Sequence, residues 1–129
     1  MIMSKDKVEQ KLAEDAKTVE ALLANGDFID EDGYPTEDTL RIIELWPFDN
    51  SKGWFEFIRD NWHLAHWGWR EQEAIDEITN DKNWCYYVST GGWSGNESII
   101  GAMQKNWVLW NVCWAQSRRG GHYIFEDRK

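Results

Sequence analysis

The chain has 129 residues, the length of one domain with its own hydrophobic core. Its net charge at pH 7 is −9, and most of the acidic excess lies in residues 1–50, which carry 13 acidic and 5 basic side chains. These values argue against bulk electrostatic binding of nucleic acid or of an anionic membrane.

Two further features of the composition bear on location and packing. No apolar run reaches the ~20 residues of a membrane span, and the N-terminus lacks the apolar stretch of a signal peptide, so we expect a cytoplasmic protein. The 10 tryptophans predict that aromatic rings dominate the interior or a binding surface. Cys85 and Cys113 lie in apolar runs without metal-ligand spacing and are expected to be buried free thiols.

Three helices are predicted in the first half of the chain. Residues 4–24 are good helix formers with a partial apolar stripe, and an Asn-Gly pair ends that helix. Thr36 is expected to cap a second helix that runs to Leu45. Apolar residues at helical spacing predict a third helix over residues 51–63.

The segment after the third helix contains two histidines and a short aromatic alternation. His63 and His66 lie three residues apart, but no third ligand with a matching spacing is near them, so we predict no metal site. The alternation from Trp67 to Arg70 predicts an edge strand over residues 67–72.

A strand, a glycine-rich turn and a helix follow. Aromatic and β-branched residues predict a strand over residues 84–90, and a pair of glycines ends it. Ser94, followed three residues later by Glu97, has the pattern of a capping box. We therefore expect Ser94 to cap a helix that stops near Asn106.

Residues 107–116 have two interpretations. Their tryptophans and valines suit a half-buried strand, joined by a hairpin at Arg118-Arg119-Gly120-Gly121 to a last strand over residues 122–126. The same residues fit helical spacing, in which case the preceding helix continues to Gln116. We favour the strand, which places the glycine-rich turn and the hairpin at the same end of the sheet.

These elements predict one α+β domain over residues 1–129. The N-terminal helices are expected to pack on one face of a small Trp-rich mixed β-sheet, because such strands are unstable with both faces in water. The C-terminal unit is predicted to run β-α-β-β. The strands are expected near residues 67–72, 84–90, 108–117 and 122–126.

The turn Gly-Gly-Trp-Ser-Gly-Asn is predicted to form an anion site with the hairpin. Glycines allow close approach of a ligand to backbone amides at a helix N-terminus, and two guanidiniums suit a phosphate. An aromatic ring in the turn offers a surface on which a base can stack. The candidate ligand-binding residues are Trp93, Ser94, Gly95, Asn96, Arg118, Arg119 and His122.

Several alternatives to that site remain open. The turn lacks the pattern of a P-loop or of a dinucleotide fingerprint, so no cofactor is predicted. A well-capped turn and a solubilising hairpin explain the same residues without a ligand. A hydrolase would use Ser94 as nucleophile, His122 as base and Glu97 or Glu126 as orienter, but the motif is incomplete. We expect a non-catalytic protein.

The stretches STGGWSGNESIIGAM and QSRRGGHYIFE resemble the signature of small, largely uncharacterised proteins encoded by tailed bacteriophages. The resemblance covers about the last third of the chain. It implies a phage gene acting in a bacterial cytoplasm and implies no activity. The working hypothesis is a binder of a phosphate-bearing, nucleotide-like small ligand, used in host takeover or counter-defence. The rival hypothesis is a protein that blocks a host or defence protein through an aromatic or acidic surface.

Overall fold

The computed structural model describes residues 4–128, which form helices followed by a four-stranded sheet with two helices inserted between its strands. The α+β fold class is confirmed. The elements in chain order are α1 (Lys5–Asn25), α2 (Glu37–Leu45), α3 (Ser51–Asp60), α4 (Ala65–Gly68), β1 (Trp69–Ile75), β2 (Lys82–Ser89), α5 (Ser94–Lys105), α6 (Trp107–Cys113), β3 (Trp114–Arg118) and β4 (His122–Arg128).

The first three helices follow the sequence prediction closely. Thr36 caps α2, because its side-chain oxygen accepts a hydrogen bond from the backbone amide of Thr39 at 3.3 Å. Asn50 caps α3 in the same way, through the amide of Gly53. The third helix ends at Asp60, before the predicted end at residue 63.

The sheet has the strand order β1-β2-β4-β3, and every neighbouring pair is antiparallel. The prediction of a mixed sheet is therefore wrong. β2 and β3 do run in the same direction, as a crossover connection requires, but β4 lies between them and pairs antiparallel with both. Ser89 at the end of β2 is paired with His122, which is also the partner of Arg118.

The two faces of the sheet differ in burial. One face carries Tyr86, Val88 and Phe125, which are at most 3% exposed and belong to the core beneath the helices. There Phe55 of α3 stacks on Tyr86 with ring centroids 4.0 Å apart. We call the opposite face the open face. By strand alternation it carries the buried residues Asn83 and Cys85 together with exposed or half-buried ones, which are Arg70, Gln72, Tyr87, Ser89, Gln116, Arg118, His122, Ile124, Glu126 and Arg128.

The segment predicted as a strand over residues 108–117 is partly helical. Residues 107–113 form α6, and only the part from Trp114 onward is a strand. Asn106 decides this, since its side chain accepts from the amide of Leu109 and so caps α6 while α5 ends at Lys105. The C-terminal unit is thus β-α-α-β-β instead of β-α-β-β.

The tryptophans divide between core and surface. Trp54 and Trp62 are buried, whereas Trp67 and Trp107 are 64% and 75% exposed. Cys85 and Cys113 are buried free thiols, as expected. Burial raises the pKa of the Cys113 thiol to about 12, so it stays protonated at neutral pH. Between residues 4 and 128, no helix combines the length and the apolar character needed to cross a membrane.

Candidate functional site

The glycine-rich turn after β2 is closed by its own backbone. Gly91 and Gly92 have φ of 64° and 73°, a region that favours glycine, and the amide of Trp93 donates to the carbonyl of Thr90 at 3.1 Å. α5 begins at Ser94, with Trp93 as its N-cap and no side-chain hydrogen bond at the cap. The predicted capping box is wrong: the chain turns one residue earlier than the pattern implied, and Ser94 is already helical.

Trp93 is half-buried and is already stacked on two rings of the protein. Its indole stacks on Tyr34 at 4.7 Å and on His63 at 4.2 Å, with interplanar angles of 26° and 28°. A Cβ added at Gly95 would collide with the Trp93 ring, so the glycine is needed for that packing. These contacts explain both residues by packing alone.

Asn96 is also held by the protein itself. The side chain is 1% exposed, accepts from the amide of His63 at 3.0 Å, and donates to the carbonyls of His63 and Thr90. It ties α5 to the chain before α4. Ser94 is exposed at the start of α5. Asn96 in this turn therefore has a structural role, since it connects α5 to His63 and Thr90. Ligand binding by the residues of the turn stays a prediction.

The hairpin and the glycine-rich turn do lie at the same end of the sheet. The amide of Thr90 donates to the carbonyl of Gly121 at 3.0 Å, which joins the two turns directly. Arg118 and Arg119 are exposed, and in the described chain neither forms an ion pair nor hydrogen-bonds to residues 94–97. Arg118 instead lies on the open face, so the predicted convergence with the helix N-terminus is not seen.

The structure places Arg118 and His122 in a cavity on the open face. This open-face cavity has a volume of about 310 Å³. The polar and aromatic side chains that line it are Trp67, Arg70, Tyr87, Ser89, Arg118 and His122. It unites two of the seven predicted ligand-binding residues with four that the sequence did not single out.

The side chains of the open-face cavity are oriented by one another. Nε of Arg118 donates to Oε1 of Gln116 at 2.8 Å, which leaves the two terminal nitrogens of the guanidinium for other acceptors. The guanidinium of Arg70 lies over the ring of Tyr87, 4.7 Å from its centroid. Nδ1 of His122 and Oγ of Ser89 are 2.7 Å apart.

The arginines of the cavity, like several other basic residues of the described chain, have no carboxylate partner, and no Asp or Glu lines the cavity. Within residues 4–128, Arg70 and Arg118 take no part in an ion pair, although the protein is strongly acidic. The basic side chains that do pair with a carboxylate are Lys52, Arg59, Lys82 and Lys105. The cavity is therefore a locally positive site on an acidic protein.

The arrangement that a hydrolase would need is not present at Ser94. The ring of His122 is hydrogen-bonded to Ser89. Glu126, one proposed orienter, accepts from Nδ2 of Asn83 at 3.4 Å. Among residues 4–128, no group of three or more His, Cys, Asp or Glu side chains is arranged to hold a metal ion.

A second polar cluster lies on the helix-covered face. Glu71 accepts hydrogen bonds from the indole nitrogens of Trp69 and Trp84, at 2.8 and 3.0 Å, and from Arg59 at 3.1 Å. Partial burial opposes ionisation of Glu71, but these three donors outweigh it and lower its pKa below the usual value. The cluster ties β1 to α3 and β2.

The open-face residues that sequence reasoning missed carried only a weak signal. Tyr87 and Ser89 share a face by strand alternation, and Arg70 lies in a predicted edge strand, but alternation alone does not tell which face is covered. No protein-family model matches the chain, and no curated protein or solved structure was found to be similar to it.

Proposed function

We propose that the protein is a non-catalytic binder of a phosphate-bearing small ligand, which it holds in the open-face cavity. The observation that carries the proposal is the convergence of Arg70, Arg118 and His122 on one cavity without a carboxylate partner, in a chain with net charge −9. Unpaired guanidiniums that share a concave site are suited to an anion with several acceptor oxygens.

The geometry supplies different donors for such an anion. The terminal nitrogens of Arg118 form a fork that matches two phosphate oxygens, and Gln116 keeps the guanidinium from rotating freely. The hydroxyl of Ser89 and the ring of His122 are already hydrogen-bonded to each other, so the orientation of both side chains is restricted before a ligand arrives. Preorganised donors lower the entropic cost of binding.

The first prediction compares two adjacent arginines by calorimetric titration with adenosine 5′-monophosphate. Arg118→Ala should weaken binding by ~1.5 to 3 kcal/mol, because a charge-assisted contact is lost. Arg119→Ala is the matched control, since Arg119 is exposed at the hairpin tip and is not among the residues of the cavity. Both variants should keep the wild-type melting temperature within a few degrees, because surface substitutions usually cost less than ~0.5 kcal/mol.

Equal losses of affinity in the two variants would indicate that the anion binds at the hairpin tip. That result would contradict binding in the open-face cavity. A drop in stability with unchanged affinity for Arg118→Ala would make that arginine structural. A thermal-shift measurement provides the simplest screen, since a ligand at 100 times its dissociation constant should stabilise the fold by ~2.7 kcal/mol.

A second candidate function is supported by an exposed apolar groove. Leu12 of α1, Phe48 after α2, and Trp107 and Val108 of α6 are 41%, 53%, 75% and 45% exposed and line one cavity of about 480 Å³. Exposed apolar patches of this kind are typical of protein-binding surfaces. A protein that blocks a host or defence protein would use this groove, and capture of a bacterial protein that is lost in Trp107→Ser would support that role.

The biological setting is part of the proposal. The resemblance of the two C-terminal stretches to tailed-phage proteins suggests a role in host takeover or counter-defence in the bacterial cytoplasm. Either a sequestered nucleotide-like ligand or a blocked host protein suits that setting.

A further inference from the structure

We infer that the ligand of the open-face cavity carries a nucleobase that stacks on Trp67, so that the site takes a nucleoside 5′-phosphate and not a phosphate without a ring. This inference rests on the proposed function and adds the class of ligand. It moves the aromatic platform from Trp93, where the sequence suggested it, to a different tryptophan.

The accessibility of Trp67 is the first observation. Its side chain is 64% exposed and lines the cavity that also contains Arg118 and His122. Trp93 is stacked on a ring at each of two contacts, with Tyr34 and with His63. A largely exposed indole beside guanidiniums that have no carboxylate partner is a combination suited to binding a base and its phosphate together.

The support beneath Trp67 is the second observation. Gly91 lies against the indole, since a Cβ added there would be 3.2 Å from Cζ3 of Trp67. The ring therefore packs on the bare backbone of the glycine-rich turn on one side. A Cβ at Gly91 would require the ring to shift by a few tenths of an ångström, and the φ of 64° at this position also favours glycine.

The short helix α4 fixes the position of Trp67. The amide of Trp67 donates to the carbonyl of Leu64 at 3.0 Å. The next residue, Gly68, is buried, and a Cβ added to it would lie 2.6 Å from the carbonyl oxygen of Ser89. The platform is thus anchored to β2, the strand that supplies Tyr87 and Ser89 to the cavity.

The other aromatic ring of the site is less suited to stacking. Tyr87 is half-buried, and the guanidinium of Arg70 covers its ring at 4.7 Å. The volume of about 310 Å³ is at the lower end of small-molecule sites, which favours a single nucleotide over a longer strand. Stacking of one base on an aromatic side chain changes affinity by roughly 5- to 150-fold.

The test is a calorimetric titration of the full chain with adenosine 5′-monophosphate and with ribose 5-phosphate. We expect wild type to bind the nucleotide roughly 5- to 150-fold more tightly than the sugar phosphate. Trp67→Ala should remove that difference while leaving the affinity for ribose 5-phosphate unchanged, and Trp67→Phe should keep part of it. Trp107→Ala is the matched control, because Trp107 is exposed but lies in the other groove.

The outcomes separate this inference from the proposed function. Equal binding of the two compounds by wild type, or a nucleotide preference that survives Trp67→Ala, would overturn the inference and leave the phosphate site standing. Failure of both compounds to bind to folded wild type would overturn the proposed function and the inference with it. Circular dichroism checks that each variant is folded, and Trp67→Phe preserves an aromatic ring at the position if Trp67→Ala unfolds.

Discussion

Glu71 shows how a single carboxylate organises the tryptophans of the sheet. Two indole N–H groups and Arg59 converge on it, and its side chain is only 20% exposed. A buried indole N–H without an acceptor costs free energy, so Glu71 allows Trp69 and Trp84 to pack against the core face. The local sequence does not mark this residue, because two of its three partners, Arg59 and Trp84, lie in other elements, α3 and β2.

We predict that Glu71→Gln lowers the free energy of unfolding by ~1 to 3 kcal/mol at pH 7. Glutamine keeps one acceptor oxygen but turns an NH₂ group toward a second donor. Most of the loss should come from the indoles, since Arg59 is 41% exposed and its ion pair is screened by solvent. Urea denaturation measures the difference, and Glu77→Gln in the exposed loop after β1 provides a control with the same change in charge.

The effect of Glu71→Gln on the free energy of unfolding should depend on pH. The pKa of Glu71 is lowered in the folded state, so ionised Glu71 adds stability above the usual value of 4.5, and that stability is lost as pH falls through the folded pKa. The difference in the free energy of unfolding between wild type and Glu71→Gln should therefore become smaller below about pH 4.5. A gap that stays constant down to pH 3 would contradict a stabilising role for the ionised carboxylate.

Asn106 lies at the junction of helices α5 and α6. It follows α5, caps α6, and donates through Nδ2 to the carbonyls of Ile43 and Trp46, each at 3.1 Å. The side chain is 6% exposed. It therefore satisfies backbone groups at the end of α2 as well as at the start of α6.

Asn106→Ser separates these two roles. Serine is a good cap and keeps an acceptor for the amide of Leu109, but it cannot donate to both Ile43 and Trp46. We predict a loss of ~1 to 3 kcal/mol in the free energy of unfolding with little change in helix content by circular dichroism. Asn111→Ser, at an exposed position of α6, is the control. An unchanged free energy of unfolding in Asn106→Ser would show that capping, which serine retains, and not donation, is the main contribution of Asn106.

Elements could be predicted from the sequence where the residues that define them lie close together in the chain. The helix after Thr36 was predictable because a cap and an apolar stripe lie within a few residues of each other, and the helix from residue 51 was predictable from its apolar spacing. Residues 107–113 fit both periods, and the sequence predicts Asn106 only as the end of one helix, although its side chain also caps the next. The strand interpretation failed because a residue that ends one helix and caps another has no distinct local pattern.

The residues of the candidate site could also be predicted only in part. Arg118 and His122 were found because they are adjacent in a hairpin of recognisable composition. Trp67, Arg70 and Ser89 join them only after β1, β2 and β4 have paired, and which face stays open depends on where the helices pack. Trp93 and Asn96 had the right residue types, but long-range packing with Tyr34 and His63 occupies them.

At the scale of the whole molecule, charge and burial are unevenly distributed. The acidic first 50 residues supply α1 and α2, which join the helical side, while the open face carries three arginines and a histidine against one glutamate. Ile42 and Ile43 of α2 are fully buried in the same core as Ile99 and Met103 of α5. The acidic part is therefore not packed as a separate unit.

Hydrogen exchange followed by mass spectrometry tests how cooperative this arrangement is. In α1 only Val19 is buried among 21 residues, so opening that helix exposes little apolar surface, whereas opening α2 disrupts the shared core. We predict that peptides covering residues 5–18 exchange well before those of α2, and that α2 is protected to the same extent as α5 and β2. Joint early exchange of α1 and α2, with residues 51–128 still protected, would instead show that the acidic half unfolds as an independent unit.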